Sequence, residues 1–96
     1  MLRPYAVYIL CNRRRTTLYV GVTRDLSRRL HEHRMGRGSR FVHRYQLDQL
    51  VHVEWCEDAG PAIEREKQLK AGSRGRKVEL IESGNPEWRD LSVLYL

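Results

Sequence analysis

The sequence predicts an α+β fold in which three strands are interleaved with helices. Two runs, YAVYILC at 5–11 and TLYVG at 17–21, are β-branched and aromatic and flank a polar NRRRTT, the pattern of an antiparallel hairpin. A third run, LVHVEWCE at 50–57, alternates with period two. The stretches after the second and third strands carry helical spacing with start and stop signals.

The hairpin faces follow from alternation, since residues directly opposite each other share a face. If Tyr8 pairs with Tyr19, then Ile9 faces Leu18 and Val7 faces Val20. That gathers the aliphatics on one side and both tyrosines on the other, whereas a one-residue slip scrambles both sets. The chain then breaks at Gly21 and restarts as a helix from about Asp25 to Met35, closed by Gly36-Arg37-Gly38. At about 100° per residue, Leu26 and Leu30 define its inner face. His33 lies beside Leu26 and Arg29 on the flank, while Arg28, His31 and Glu32 point outward.

The third strand places Val51, Val53 and Trp55 on one face and His52, Glu54 and Cys56 on the other. Gly60-Pro61 opens the next helix and Gly72 ends it. Its apolar arc is Ala62, Ile63 and Leu69, with Glu66 in the middle. A carboxylate on a core-facing arc needs a partner ion, a metal or a proton, because burying it alone is too costly. Ser73 caps a further helix through Ser83 that Gly84 terminates, and Asn85-Pro86 marks a turn. The tail WRDLSVLYL is too apolar for a free linker and is expected to pack back.

A chain of 96 residues fits a single domain over 1–96 with one modest core. No apolar run approaches the roughly 18 residues a membrane span needs. MLRPYAVYIL lacks a signal-peptide layout, so a cytoplasmic location is expected. Cys11 and Cys56 have no CxxC spacing, so neither a disulfide framework nor a zinc ribbon is indicated, and both read as small core residues. His31, His43 and His52 show no ligand spacing. The net charge is +6, which favours a polyanionic partner, chiefly nucleic acid. Basic residues from Arg3 to Arg44 crowd the first half with only Asp25 and Glu32 as acids. Packing gives no reason for three consecutive arginines at the hairpin tip, so Arg13, Arg14 and Arg15 are read as phosphate contacts.

Taken together, Ala6-Val7-Tyr8, Tyr19-Val20-Gly21, Arg29, His33, Glu66 in REKQLK and Asn85 in NPEWRDL resemble the GIY-YIG nuclease superfamily. The likeness is to its small stand-alone bacterial (YhbQ-like) branch and covers roughly residues 4–91. Arg29 stands where that family carries its catalytic arginine, His33 at the family's i+4 position, and Glu66 at the metal-binding glutamate. Asn85 matches the late asparagine of the small branch, and it serves either the turn or the site. Ala6 replaces the usual first glycine, and Val22 stands where excision-repair members place a lysine. The resemblance implies a three-stranded antiparallel sheet with flanking helices and a metal-dependent endonuclease acting on DNA, with RNA left open. It also implies Mg²⁺ or Mn²⁺ as cofactor.

The residue chemistry is compatible with that implication. An unperturbed Tyr is ionised in only about one molecule per thousand at neutral pH, and a nearby cation makes the phenolate accessible. Tyr8 or Tyr19 can then activate water. Arg29 and His33 can handle phosphate charge, and one carboxylate suffices for a Mg²⁺ that keeps several waters. Two other readings stay open: a nucleic-acid-binding module of the same fold that does not cleave, and a protein-interaction module using the tail around Trp88 and Leu94. A purely structural Arg29–Glu66 ion pair is a further alternative.

Overall fold

The computed structural model describes residues 4–96, so Arg3 of the basic first half lies outside the described residues. β1 (Tyr5–Cys11) is the central strand, with β2 (Leu18–Thr23) and β3 (Gln49–Cys56) antiparallel on either side of it. α1 (Leu26–Arg34) and a short α2 (Arg40–Arg44) lie between β2 and β3. α3 (Ala59–Ala71), α4 (Arg74–Gly84) and a closing 3₁₀ turn (Leu91–Leu94) follow. The fold is the α+β arrangement expected, a three-stranded antiparallel sheet flanked by helices.

Helices cover both faces of the sheet, which is why every β1 residue from Ala6 to Cys11 is buried. One core layer joins Tyr8, Leu10 and Leu50 to Leu26 and Leu30 of α1 and Val42 of α2, with Leu91 and Tyr95 of the tail packed on it. The other joins Val7, Ile9, Val20 and Val51 to Ala62 and Leu69 of α3, Ile81 of α4 and Trp88. The tail thus packs back. Cys11 and Cys56 are free thiols, the first buried and the second half-buried. No helix among the described residues is long and apolar enough to cross a membrane.

Helix starts follow local chemistry. Asp25 caps α1 by accepting from the Arg28 N–H at 3.1 Å, and Ser73 caps α4 from the Arg76 N–H at 3.2 Å. α2 is an addition to the expected elements: five residues, RFVHR, are too few for a periodic pattern, and its only sequence cue is the Ser39 cap.

The hairpin register differs from the expected one by two residues. Tyr8 lies opposite Gly21, Ile9 opposite Val20 and Leu10 opposite Tyr19. An even shift keeps every side chain on its face, so the tyrosines and aliphatics segregate as read while their partners change. Gly21 therefore makes no turn; it sits inside β2, and a Cβ there would lie 2.5 Å from both Cζ and Oη of Tyr8. Its missing side chain is the space that the Tyr8 ring occupies. Asn12 closes the longer loop this register needs, its Oδ1 accepting from the N–H groups of Thr16 (2.9 Å) and Thr17 (3.2 Å). Gly21→Ala should destabilise the fold by about 1–3 kcal/mol, the usual range for overpacking. Most of that cost should vanish in a Tyr8→Ala background, as a denaturant double-mutant cycle would measure.

The third strand also departs from strict alternation. The ladder shifts between Ile9 and Leu10, so Leu50 and Val51 both oppose this short stretch of β1. The bulge turns Val51 onto the α3/α4 side, away from Val53. On that side Glu54 accepts from Arg65 Nε at 2.8 Å and Nη2 at 3.0 Å, and pairs with His52 Nε2 at 2.8 Å. Burial alone would raise the Glu54 carboxyl, but the hydrogen bonds from Arg65 and His52 hold it below the usual range. This fork clamps α3 to β3 and so positions the next residue, Glu66. Ile63, expected in the apolar arc, is 44% exposed, because α3 seats on the sheet through Ala62 and Leu69 and leaves Ile63 at the rim.

Candidate active site

The centre of the site is a buried phenol. Tyr8 is 1% exposed, and its Oη lies 3.1 Å from Nε2 of His33, which α1 turns inward beside Leu26 and Leu30. The His33 ring is closed in from behind by Gly38, where any Cβ would collide with Nδ1. That nitrogen is buried without a hydrogen-bond partner. Burial, and then the nearby Arg29 guanidinium, pull the imidazole below its ordinary pKa, so the ring is neutral at pH 7. A neutral ring leaves one nitrogen free to accept a proton, and Nε2 is the one aimed at the phenol.

Tyr19 completes an aromatic triangle, its ring centroid 6.4 Å from Tyr8 and 6.0 Å from His33. It is half-buried where Tyr8 is closed off. Arg29 stands at the mouth with its side chain 40% exposed and Nε 3.4 Å from Glu32. Arg28, one step round the helix, is 75% exposed and touches the same carboxylate at 3.7 Å. The helix phase is therefore as read, except that Glu32 turns far enough in to serve both arginines.

Burial pushes the Tyr8 phenol well above its ordinary pKa; Tyr19 adds to the shift, Arg29 opposes it, and Glu66 and Glu32 add to it. All four groups lie within electrostatic reach of one hydroxyl. Glu66 comes from the opposite layer, carried by α3, and its side chain is 16% exposed with Oε2 3.4 Å from Lys70. Arg29 pairs with Glu32 and Glu66 with Lys70, so the structural Arg29–Glu66 pair is not formed. Between α1 and α3 runs a groove of about 450 Å³ whose walls include Val22, Arg24, Arg28, Arg29, Glu32 and Ile63.

The remaining candidates separate. Asn85 is buried 34 positions along the chain from its partner: its Nδ2 donates to Val51 O at 3.2 Å and to Arg89 O at 2.9 Å, and its Oδ1 accepts from Arg89 N at 3.0 Å. These bonds tie the turn after α4 to the β3 bulge and leave the amide no free N–H for a ligand. Arg15 adopts φ 59°, donates to Glu87 O at 3.0 Å and lays its guanidinium 5.4 Å over Trp88. Packing thus does account for one of the three tip arginines. Trp88 is itself a core residue, not an exposed anchor. Arg13 and Arg14 are exposed. Replacing both with Ser should flatten the salt dependence of binding, by about 0.9 in log–log slope per lost duplex contact or about 0.7 per single-strand contact. Arg15→Ser should lower the melting temperature instead.

Residues 4–78 match the GIY-YIG catalytic domain. The chain belongs to the GIY-YIG family. It is 39% identical over 88 residues to a UPF0213 protein of Syntrophus aciditrophicus, covering 91% of this chain and 98% of that one. It is 37% identical over 68 residues to a UPF0213 protein of Haloquadratum walsbyi, covering 71% and 76% of the two chains. With a UPF0213 protein of Pseudomonas aeruginosa it shares 41% over 64 residues, 67% of this chain and 62% of the relative. No solved structure matches the chain. GIY-YIG domains are nucleases, acting on nucleic acid and in general dependent on a metal.

The donor chemistry of this GIY-YIG domain offers a metal a single carboxylate. Among the described residues no three acidic, His or Cys side chains converge on a point. Glu66 is a largely buried carboxylate within electrostatic reach of Tyr8. A single carboxylate suits a hard divalent cation that keeps most of its waters.

Proposed function

We propose that this GIY-YIG domain is a metal-dependent endonuclease that hydrolyses phosphodiester bonds in DNA, single-stranded or branched. The observation that carries the reading is the cluster of Tyr8, His33 and Tyr19, hydrogen-bonded and ring against ring, with Arg29 and Glu66 near enough to act electrostatically on the same hydroxyl. A packing role requires neither a neutral imidazole bonded to a buried phenol nor a carboxylate brought from the other side of the sheet.

The division of labour follows from the environments. The attacking water must lose a proton, and the two phenols on this face are the groups placed to receive it. Burial makes the Tyr8 anion costly and the Arg29 charge offsets that cost only in part, while the Tyr8 hydroxyl is held by its hydrogen bond with His33 Nε2. Arg29, free to swing from Glu32 at the groove mouth, can hold two phosphate oxygens as charge builds on them. Glu66 would hold the divalent metal, which when bound polarises the phosphate and stabilises the leaving oxygen.

The direct test incubates the protein with end-labelled single-stranded, duplex and branched DNA, with Mg²⁺, Mn²⁺ or EDTA. Nicking that needs the metal is the expected result. Binding without cleavage under every condition would replace this reading with that of a nucleic-acid-binding module.

A further inference from the structure

Beyond the site described, α2 presents side chains that packing does not require. A five-residue helix with one buried residue, Val42, is anchored by that residue and its Ser39 cap. Yet Phe41 of α2 and Tyr45, the residue that closes the helix, are each 43% exposed. They form a continuous series of rings with the site: Phe41 stacks on Tyr19 at 6.2 Å and 29°, and Tyr45 meets Phe41 at 4.7 Å. The Arg44 guanidinium lies 5.6 Å over Tyr45. From His33 to Gln46 the chain holds no acidic residue, and Arg37, Arg40 and Arg44 along it are exposed. Half-exposed rings in file, bordered by unneutralised arginines, match the chemistry of an unpaired strand, whose bases offer π-faces while its phosphates seek cations. Bases in a duplex are already stacked on one another and cannot lie on these rings.

We propose that Phe41 and Tyr45 form a base-stacking platform that leads a single strand of nucleic acid onto Tyr19. The inference rests on the reading of nucleic acid as substrate and adds the place where an unpaired strand is held. Bases stack on Tyr45 and Phe41, the backbone runs along Arg37, Arg40 and Arg44, and the next phosphodiester is delivered to Tyr19 and Arg29.

The test measures binding by fluorescence anisotropy in EDTA, so that it reads the platform whether or not the protein cleaves. The probes are labelled oligothymidylate and an abasic strand of equal length, which keeps the phosphates and lacks the bases. Wild type should bind oligothymidylate tighter than the abasic strand by about tenfold per stacked base. Phe41→Ala with Tyr45→Ala should erase that difference and leave the abasic affinity unchanged, whereas Phe41→Trp with Tyr45→Trp should preserve it. Equal affinity of wild type for the two strands overturns the platform without needing any variant. So does a double variant whose affinity falls equally on both strands while its melting temperature is unchanged. Base-dependent binding with no cleavage in Mg²⁺ would refute the nuclease and uphold the platform; metal-dependent nicking with no base-dependent binding would do the reverse.

Discussion

Glu66→Gln should yield a protein that binds DNA and does not cut it. The substitution keeps the shape of the side chain and removes only the charge. If Glu66 holds the metal, the step loses several kcal/mol of transition-state stabilisation, about 10³-fold or more in rate. Binding should hold or tighten, since a negative charge has left a surface that receives phosphates. The structural alternative is that Glu66 exists for Lys70. That pair is i to i+4 with Lys70 half exposed, an arrangement worth at most about 1 kcal/mol. Melting temperature therefore separates the two: the metal role predicts little change with lost cleavage, and a structural role predicts the opposite. Undiminished Mg²⁺-dependent cleavage by Glu66→Gln or Glu66→Ala would remove this residue from the mechanism.

Arg29→Ala should slow cleavage by about 10²–10³, the range seen when one charge-stabilising donor is removed. Arg28→Ala should do far less, although the two arginines share Glu32 and differ by one step of helix. Arg29 is also the nearby cation that lowers the pKa of both Tyr8 and His33. Its loss should raise both, so the pH–rate profile should move to higher pH. Arg29→Lys should restore the profile more fully than the rate, because an ammonium supplies charge without the bidentate fork. Equal losses from Arg28→Ala and Arg29→Ala would mean that both only grip backbone phosphates.

The features legible in the sequence were those set by local periodicity. Alternation assigned Tyr8 and Tyr19 to one face, and the 100° step of a helix put Leu26, Leu30 and His33 inward with Arg28 outward. Caps at Asp25 and Ser73 were readable because a single side chain does the capping. The register was not readable, because pairing Tyr8 with Tyr19 or with Gly21 buries the same aliphatics. Nor was the β3 bulge, whose extra residue looks like any other apolar position. Arg15 and Asn85 were misplaced or left open because their partners, Trp88 and Val51, are distant in sequence. The Arg65–Glu54 clamp joins two different elements, a pairing that periodicity within either one does not encode. α2 was hidden by its brevity; its signal was an unexplained Phe and Tyr four apart in a stretch without acids.

The contact between Tyr8 and Gly21 ties the chemistry to the folding of the hairpin. Two pairings of β1 with β2 satisfy the hydrophobic pattern equally, and burial alone cannot choose between them. The choice falls to a phenol that needs an absent side chain across the strand. A chain that closes its hairpin two residues out of step would hold a normal core and no working centre. The phenol at the centre of the candidate site is thereby also the gauge of correct assembly, and a population that looks folded by far-ultraviolet circular dichroism can still be divided into in-register and out-of-register molecules by this one ring.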